Sequence, residues 1–281
     1  MKAHKLLASL VALVMVLPLA GCGQSAAQYD VSSIGPKIHV GVSFDQPGLG
    51  FVQSGDHQGF DVDVAKYVVH ELGYSHTQIV WQEVRPVDRE RMLVEGKVDL
   101  VVAGYSITRA RQELVDFAGP YLLAGQDLLV RREQNEITGV DSLDSKRVCV
   151  ARGSSTAEVV SRHAPNAQVE ERDQFTECIT ALLSGDADAV GGDDFALAGL
   201  AKVRGGNQLR LVGAPFTQEH YGIAVRKDDP ELVATINAAL EKMMSEGVWK
   251  QALMRAARSI GLKTDPAARR PDRLDGAPSQ E

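Results

Sequence analysis

Lys97-Val-Asp-Leu-Val-Val-Ala-Gly-Tyr-Ser-Ile-Thr-Arg-Ala-Arg-Gln-Glu-Leu-Val-Asp-Phe-Ala-Gly-Pro-Tyr121 decides how the rest of the chain is read. Residues 98–103 form a short, almost unbroken apolar run, the composition of a strand buried on both faces. Gly104, Ser106 and Thr108 follow at once, and then Arg109 and Arg111. A strand that ends in such a turn presents hydroxyls and a guanidinium to a small carboxylate.

Working outward, the segment has a partner. Leu93-Val-Glu-Gly-Lys-Val-Asp-Leu-Val-Val-Ala-Gly104 lines up with Leu182-Leu-Ser-Gly-Asp-Ala-Asp-Ala-Val-Gly-Gly-Asp193. Each reads as a helix end, a glycine stop (Gly96, Gly185), an acidic step, a buried strand and a polar strand end. A second pair is Lys37-Ile-His-Val-Gly-Val42 and Lys146-Arg-Val-Cys-Val-Ala151. The repetition points to two similar α/β lobes rather than one long sheet. Strands are expected over 38–43, 77–81, 98–103, 127–131, 147–151 and 187–191, with a return strand from Tyr221. Helices are expected over 61–72, 88–95, 155–163 and 174–184, and across 230–257, where they pack back on the first lobe. Four polar strand ends, at 43–45, 104–106, 152–154 and 192–193, fall two to a lobe. Ligands of α/β sheets collect at such carboxyl ends, so the crevice between the lobes is the expected site. Asp61 and Asp63 precede an apolar helical stripe and read as carboxylates that accept free backbone N–H groups at a helix start, not as a metal pair.

Composition narrows the function. The 281 residues carry a formal net charge of −7 and no basic stripe, which argues against nucleic acid as a partner. Histidines are scattered and C-x-x-C is absent, so neither a metal nor another cofactor is expected. No G-x-S-x-G, P-loop or H-E-x-x-H occurs, and no enzymatic activity is expected. Lys2 and Lys5 open a leader whose apolar run, 6–20, is too short to span a bilayer comfortably. Loss of that leader makes the net charge two units more negative. Residues 22–36 read as a polar tether, and 263–281, without apolar periodicity, as a disordered tail. Cys149 and Cys178 fall in one lobe. Outside the cytoplasm such thiols tend to pair, the alternative being two buried free thiols.

The 97–121 stretch, Gly59-Phe-Asp-Val-Asp63 and Gly191-Gly-Asp-Asp-Phe-Ala-Leu-Ala-Gly199 resemble the extracellular solute-binding proteins of family 3, which serve amino-acid ABC importers. The resemblance implies a type II periplasmic-binding-protein fold, with two α/β lobes joined by a two-stranded hinge. Lobe 1 would comprise 37–124 and 222–262 and lobe 2 125–221, with crossings near Gly125 and His220. Leu19-Ala-Gly-Cys22 resembles the lipoprotein processing box. That implies removal of 1–21, lipidation of Cys22 and anchorage to the outer face of the cell membrane.

By the same resemblance, Arg111 takes the ligand α-carboxylate, since the family's T-x-x-R spacing runs from Thr108 to Arg111, and Arg109 is left to solvent. Ser106 and the Gly104 carbonyl meet the α-carboxylate or α-ammonium, and Asp193 completes the ammonium site, with Asp194 the competing choice. Ser155 and Thr156, at a helix start, supply N–H groups to an anion. Arg89 matches the arginine that contacts the side-chain carboxylate in acidic-amino-acid members, whereas Arg91, two residues on, points elsewhere. The first loop, Phe44-Asp-Gln-Pro-Gly-Leu-Gly-Phe51, lacks the family's usual stacking aromatic and resembles that of actinobacterial glutamate-binding members. Phe44, Gln46 and Phe51 all remain candidates there. The expectation is a monomer that binds free glutamate, or aspartate, and hands it to ABC permease subunits. Alternatives are a glutamine or polar amino-acid binder, a sensor subunit, and a cyclic-acid dehydratase using Glu83, Glu113 or Glu219.

Overall fold

The computed structural model describes residue 30 and residues 34–276. The leader, Cys22 and most of the tether lie outside the described residues. The chain begins with β1 (Ile38–Val42) and a small antiparallel sheet of β2 (Asp45–Gln46), β3 (Gly50–Gln53) and β4 (Asp56–Gln58). There follow α1 (Phe60–Glu71), β5 (Ile79–Glu83), α2 (Arg89–Val94), β6 (Leu100–Val101), α3 (Arg109–Gln112) and β7 (Asp116–Ala124). Next come β8 (Gln126–Arg131), β9 (Arg147–Ala151), α4 (Thr156–His163), β10 (Gln168–Arg172), α5 (Phe175–Ser184), β11 (Ala189–Asp193), α6 (Asp194–Leu200) and β12 (Leu209–Leu211). The chain ends with β13 (Glu219–Val225), α7 (Pro230–Ser245), α8 (Val248–Ile260) and the short α9 (Pro266–Arg269).

Two five-stranded sheets result, ordered β5-β1-β6-β13-β7 and β10-β9-β11-β8-β12. In the first, β1 runs parallel to β5 and β6, and β13 antiparallel to β6 and β7. In the second, β9 runs parallel to β10 and β11, and β8 antiparallel to β11 and β12. Each sheet is covered on both faces, which is why its inner strands are largely apolar and buried rather than alternating. Leu100 and Val102 join the core formed with α1, α7 and α8, whereas Val101 and Ala103 join the opposite core beside Leu93 of α2. In the second sheet, Cys149 and Val190 pack under α5, and Val148 and Val150 under α4.

The chain passes between the sheets twice, through Gly125 and through the segment before β13. The crossings are tied together: Glu219 pairs with Ala124 and His220 with Leu123, the Phe216 N–H donates to the Gln126 carbonyl at 2.9 Å, and the Gln126 N–H donates to the Thr217 hydroxyl at 3.0 Å. Helix α6 sits beside this hinge with Phe195, Ala196 and Ala198 in the first lobe's core and Leu197 and Leu200 in the second's.

Four local expectations differ. Ladder pairing in β6 stops at Val101, because the backbone then turns and the Ala103 carbonyl accepts from Arg89 at 2.6 Å. Strand β10 was not anticipated: Gln-Val-Glu-Glu-Arg is mostly exposed at a sheet edge and carries no apolar run. Asp61 and Asp63 do not cap α1. Asp61 is buried and accepts from the Tyr121 hydroxyl at 2.7 Å, and Asp63 pairs with Arg255 at 2.8 Å. Residues 263–276, expected to be disordered, lie along the first lobe. Asp265 caps α9, Arg269 reaches the Leu123 carbonyl and Asp194, and the Gly276 N–H donates to the Gly119 carbonyl at 2.8 Å. Leu274 packs against the first lobe's core, but a single apolar residue makes no hydrophobic period, and the other contacts named here are polar, so the sequence does not signal them.

Candidate functional site

Where the two sheets face each other, Arg89, Gly104, Ser106 and Arg111 from one lobe and Ser155, Thr156 and Asp193 from the other line a single cleft. Gln46, Pro86, Ser154, Phe175 and Ala196 complete its wall. Of the three first-loop candidates, Gln46 is the one that lines it, whereas Phe44 packs edge-on against His57. Phe175, at the start of α5, is an aromatic that the sequence reading missed, and nothing in its flanking residues marks it.

The polar turn after β6 is held by β13. The Gly222 N–H donates to the Tyr105 carbonyl at 2.9 Å and the Ile107 N–H to the His220 carbonyl at 2.8 Å. Gly104 takes a φ of +54°, a left-handed conformation that glycine adopts at little cost. Thr108 caps α3 by accepting from the Arg111 N–H, and so fixes where the Arg111 side chain starts. Arg111 is only 9% exposed, and it donates to the Ser106 carbonyl at 2.8 Å and, across the cleft, to the Gly153 carbonyl at 3.0 Å. Arg109 is exposed, and Arg91 pairs with Asp88 and Glu95 on the surface.

Arg89 opens α2 and is 4% exposed. Burial lowers its pKa, and the neighbouring Arg111 charge adds to that. Its Nη2 donates to Ala103, while its Nε is buried with no hydrogen-bond partner among the described residues. Ser154 Oγ is also buried and unpartnered among them. Such groups cost stability unless something satisfies them, so both point to a polar ligand. Neither Asp88 nor Glu90 forms an ion pair with Arg89: Asp88 is held by Arg85 and Arg91, and Glu90, whose charge favours the guanidinium from a distance, accepts from the Tyr105 hydroxyl.

The acidic side is built around Asp193, the N-cap residue of α6. Its carboxylate accepts from the Tyr221 hydroxyl. Burial, followed by the nearby Glu219 charge, raises its pKa to about 7. Glu219 is itself buried and accepts from Gln126 at 3.1 Å and from Thr217 at 2.9 Å. Asp194 is turned away from the cleft and pairs with Arg269. Ser155 is hydrogen-bonded to Gln126 at 2.9 Å, and Thr156 is the first residue of α4. Of the acids considered for chemistry, Glu83 and Glu113 are exposed, and Glu219 is buried.

The lobes are in contact across this cleft. Arg85 reaches Asp173, Gln174 reaches Glu83, and Gly153 lies against Val87. The space left among the lining side chains is about 20 Å³ traced by the centre of a water molecule, room for one or two waters. A larger cavity of about 380 Å³ adjoins it, shares Arg111, Ser154 and Ser155, and is bordered by Arg109, Glu158, Arg162 and Glu219. Admitting a molecule the size of an amino acid to the inner cleft therefore requires the lobes to part. Cys149 and Cys178, on β9 and α5, are joined as a disulfide. Among the described residues no cluster of His, Cys, Asp or Glu has metal-binding geometry, and no helix is long and apolar enough to cross a membrane.

Comparisons with known proteins agree with this architecture. The family profile of the bacterial extracellular solute-binding proteins, family 3, matches residues 38–256. The glutamate-binding protein GluB of Corynebacterium efficiens is 37% identical over 259 residues, covering 88% of each chain. The glutamine-binding protein GlnH of Bacillus subtilis, of an ABC transporter, is 34% identical over 273 residues, covering 92% of this chain and 97% of its own. An ancestral arginine-binding protein solved with glutamine bound superimposes with a TM-score of 0.74 at 33% identity, covering 78% of this chain and 97% of its own. Two lobes of this topology, a match through nearly all of both, and relatives alike along almost their full length lead to one conclusion: the chain belongs to the bacterial extracellular solute-binding proteins, family 3, and has the type II periplasmic-binding-protein fold.

Proposed function

We propose that this protein is the substrate-binding lipoprotein of an amino-acid ABC importer, and that it takes an acidic amino acid, glutamate ahead of aspartate, between its lobes. The observation that carries this reading is the pairing of two buried guanidiniums, Arg89 and Arg111, with one carboxylate, Asp193, on a single cleft. Glutamate brings two carboxylates and one ammonium, the complementary set. Arg111, Ser106 and the N–H groups at the start of α4 receive the α-carboxylate. Asp193 and the Gly104 carbonyl receive the ammonium, and Arg89 receives the side-chain carboxylate. Ligand that touches both lobes stabilises their closed arrangement, which a membrane permease then recognises. The glutamate-binding relative supports the acidic assignment. The lipid anchor rests on the Leu19-Ala-Gly-Cys22 sequence.

A second reading, glutamine, is favoured by the carboxamide of Gln46 in the cleft and by the glutamine-binding relative. It leaves Arg89 facing a neutral amide, and a buried charge deprived of its partner costs roughly 3–5 kcal/mol. Calorimetric titration of the soluble domain, residues 34–276, with glutamate, aspartate, glutamine and asparagine tests both. Preference for glutamate is the expected result, and tighter binding of glutamine would replace the first reading by the second.

A further inference from the structure

Tyr105 carries none of the roles assigned so far, yet it touches both cationic groups of the cleft. Its ring centroid lies 4.8 Å from the guanidinium carbon of Arg89 and 4.7 Å from that of Arg111. The ring is fully buried and is backed by Phe117 at 5.0 Å between centroids. Its hydroxyl is held by Glu90, whose carboxylate stands 3.8 Å from Arg111 Nε. Its backbone is fixed by the bond from Gly222. The residue is therefore anchored at its main chain, its ring and its hydroxyl.

Two like charges in a buried site repel each other, and Arg89, hydrogen-bonded at one carbonyl alone, has a long side chain that this bond by itself leaves free to swing. The face of an aromatic ring is electron-rich and attracts a guanidinium laid over it. One ring shared by two guanidiniums fixes both relative to a common point. It thereby fixes the separation of the two positive centres that meet the two carboxylates of a dicarboxylic ligand. We propose that Tyr105 is a positioning residue, the common aromatic support that holds Arg89 and Arg111 in register and so sets the preference for an acidic over a neutral amino acid. The inference rests on the acidic-ligand reading above and adds to it the residue that sets the spacing.

The test compares wild type, Tyr105→Phe and Tyr105→Met by calorimetry with glutamate and with glutamine, alongside thermal unfolding of each. Wild type decides the underlying reading by itself: no preference for glutamate ends that reading and this one together. With the preference present, Tyr105→Phe keeps the ring and should hold glutamate within about threefold of wild type. Tyr105→Met fills the space without a π face. It should lose at least about tenfold for glutamate and distinctly less for glutamine, since glutamine engages only Arg111. Equal losses for the two ligands would mean a merely structural role and overturn the proposal. Glutamate binding by Tyr105→Met within threefold of wild type would overturn it too, as would a Phe variant as weak as the Met one. Tyr105→Leu replaces the Met variant if unfolding shows that the latter does not fold.

Discussion

Arg111 and Gly153 belong to different lobes, and the Arg111 guanidinium donates to the Gly153 carbonyl at 3.0 Å. The contact needs Gly153 to lie flush against the first lobe. A Cβ there would stand 2.6 Å from Val87 Cα and 2.7 Å from Val87 N, both backbone atoms that cannot yield, and the φ of +79° penalises any L side chain as well. Gly153→Ala should therefore wedge the lobes apart while each folds normally. Because apparent affinity scales with the population able to close, ligand binding should weaken by roughly tenfold or more. Calorimetry measures the loss, and small-angle scattering with saturating glutamate should show less compaction than in wild type.

Arg89 separates the two candidate ligands. Its buried guanidinium, with Nε unpartnered among the described residues, is assigned to the side-chain carboxylate. Removing one partner of a buried charge pair typically costs about 2–5 kcal/mol. Arg89→Ala should then weaken glutamate by roughly a hundredfold, and leave glutamine unchanged or improved because no uncompensated cation faces its amide. Equal losses for both ligands would return Arg89 to a role in bracing the Ala103 turn.

Asp193 should make binding depend on pH. Its pKa is raised to about 7 by burial and by Glu219, while the Tyr221 hydroxyl and Arg89 act in the opposite direction and Asp194 adds a little to the rise. An ammonium arriving beside it favours the ionised form, so the bound state holds fewer protons than the free state. Affinity must then rise with pH up to about 7 and level off above it. Below that it should fall by up to about tenfold per pH unit. Titrations at pH 5, 6, 7 and 8 check the slope, and buffers of different ionisation enthalpy at pH 6 should reveal net proton release. Asp193→Asn should abolish the slope.

Much of this was legible in the chain because the decisive signals are local. The 98–103 run, the glycine stops at Gly96 and Gly185 and the Thr108 to Arg111 spacing each depend on a few consecutive residues. The seven site residues assigned from sequence come to one cleft because each stands at or just past the carboxyl end of a strand or in the first turn of a helix, where position follows from the element. What the sequence concealed is long-range. Asp61 looks like a helix cap, and only the fold brings the Tyr121 hydroxyl to it. Tyr105 looks like a core aromatic until two arginines from different helices are seen over its ring. Phe175 and Gln46 line the cleft from segments whose local pattern says nothing about where they face.

Cys149 and Cys178 join β9 to α5 across a separation of 29 residues, and both are fully buried in the second lobe's core. Closing a loop of that length restricts the unfolded chain and is worth about 3.6 kcal/mol by the loop-entropy relation. Reduction under partly denaturing conditions, or Cys149→Ala with Cys178→Ala, should lower stability by that order in urea unfolding. Ligand affinity of the protein that remains folded should change little, since neither cysteine lines the cleft.

Arg269 gives the C-terminal segment a specific part in the hinge. It donates to the Leu123 carbonyl at 3.3 Å on the last turn of chain in the first lobe and pairs with Asp194, which opens α6 on the other side of the crossing. Asp194 is buried, and its carboxylate also caps the Phe195 N–H at 2.8 Å. Taking away the guanidinium leaves a carboxylate desolvated with backbone donors alone, and removing one member of such a pair is strongly destabilising. Since Arg269 keeps some solvent contact, a loss of about 2 kcal/mol is expected for Arg269→Ala, below the range for fully buried pairs. Arg269→Lys should recover part of it by restoring the charge without the fork. Thermal and urea unfolding of the two variants measure the effect. A stability equal to wild type for Arg269→Ala would mean that residues 263–276 rest on the first lobe without bracing the crossing.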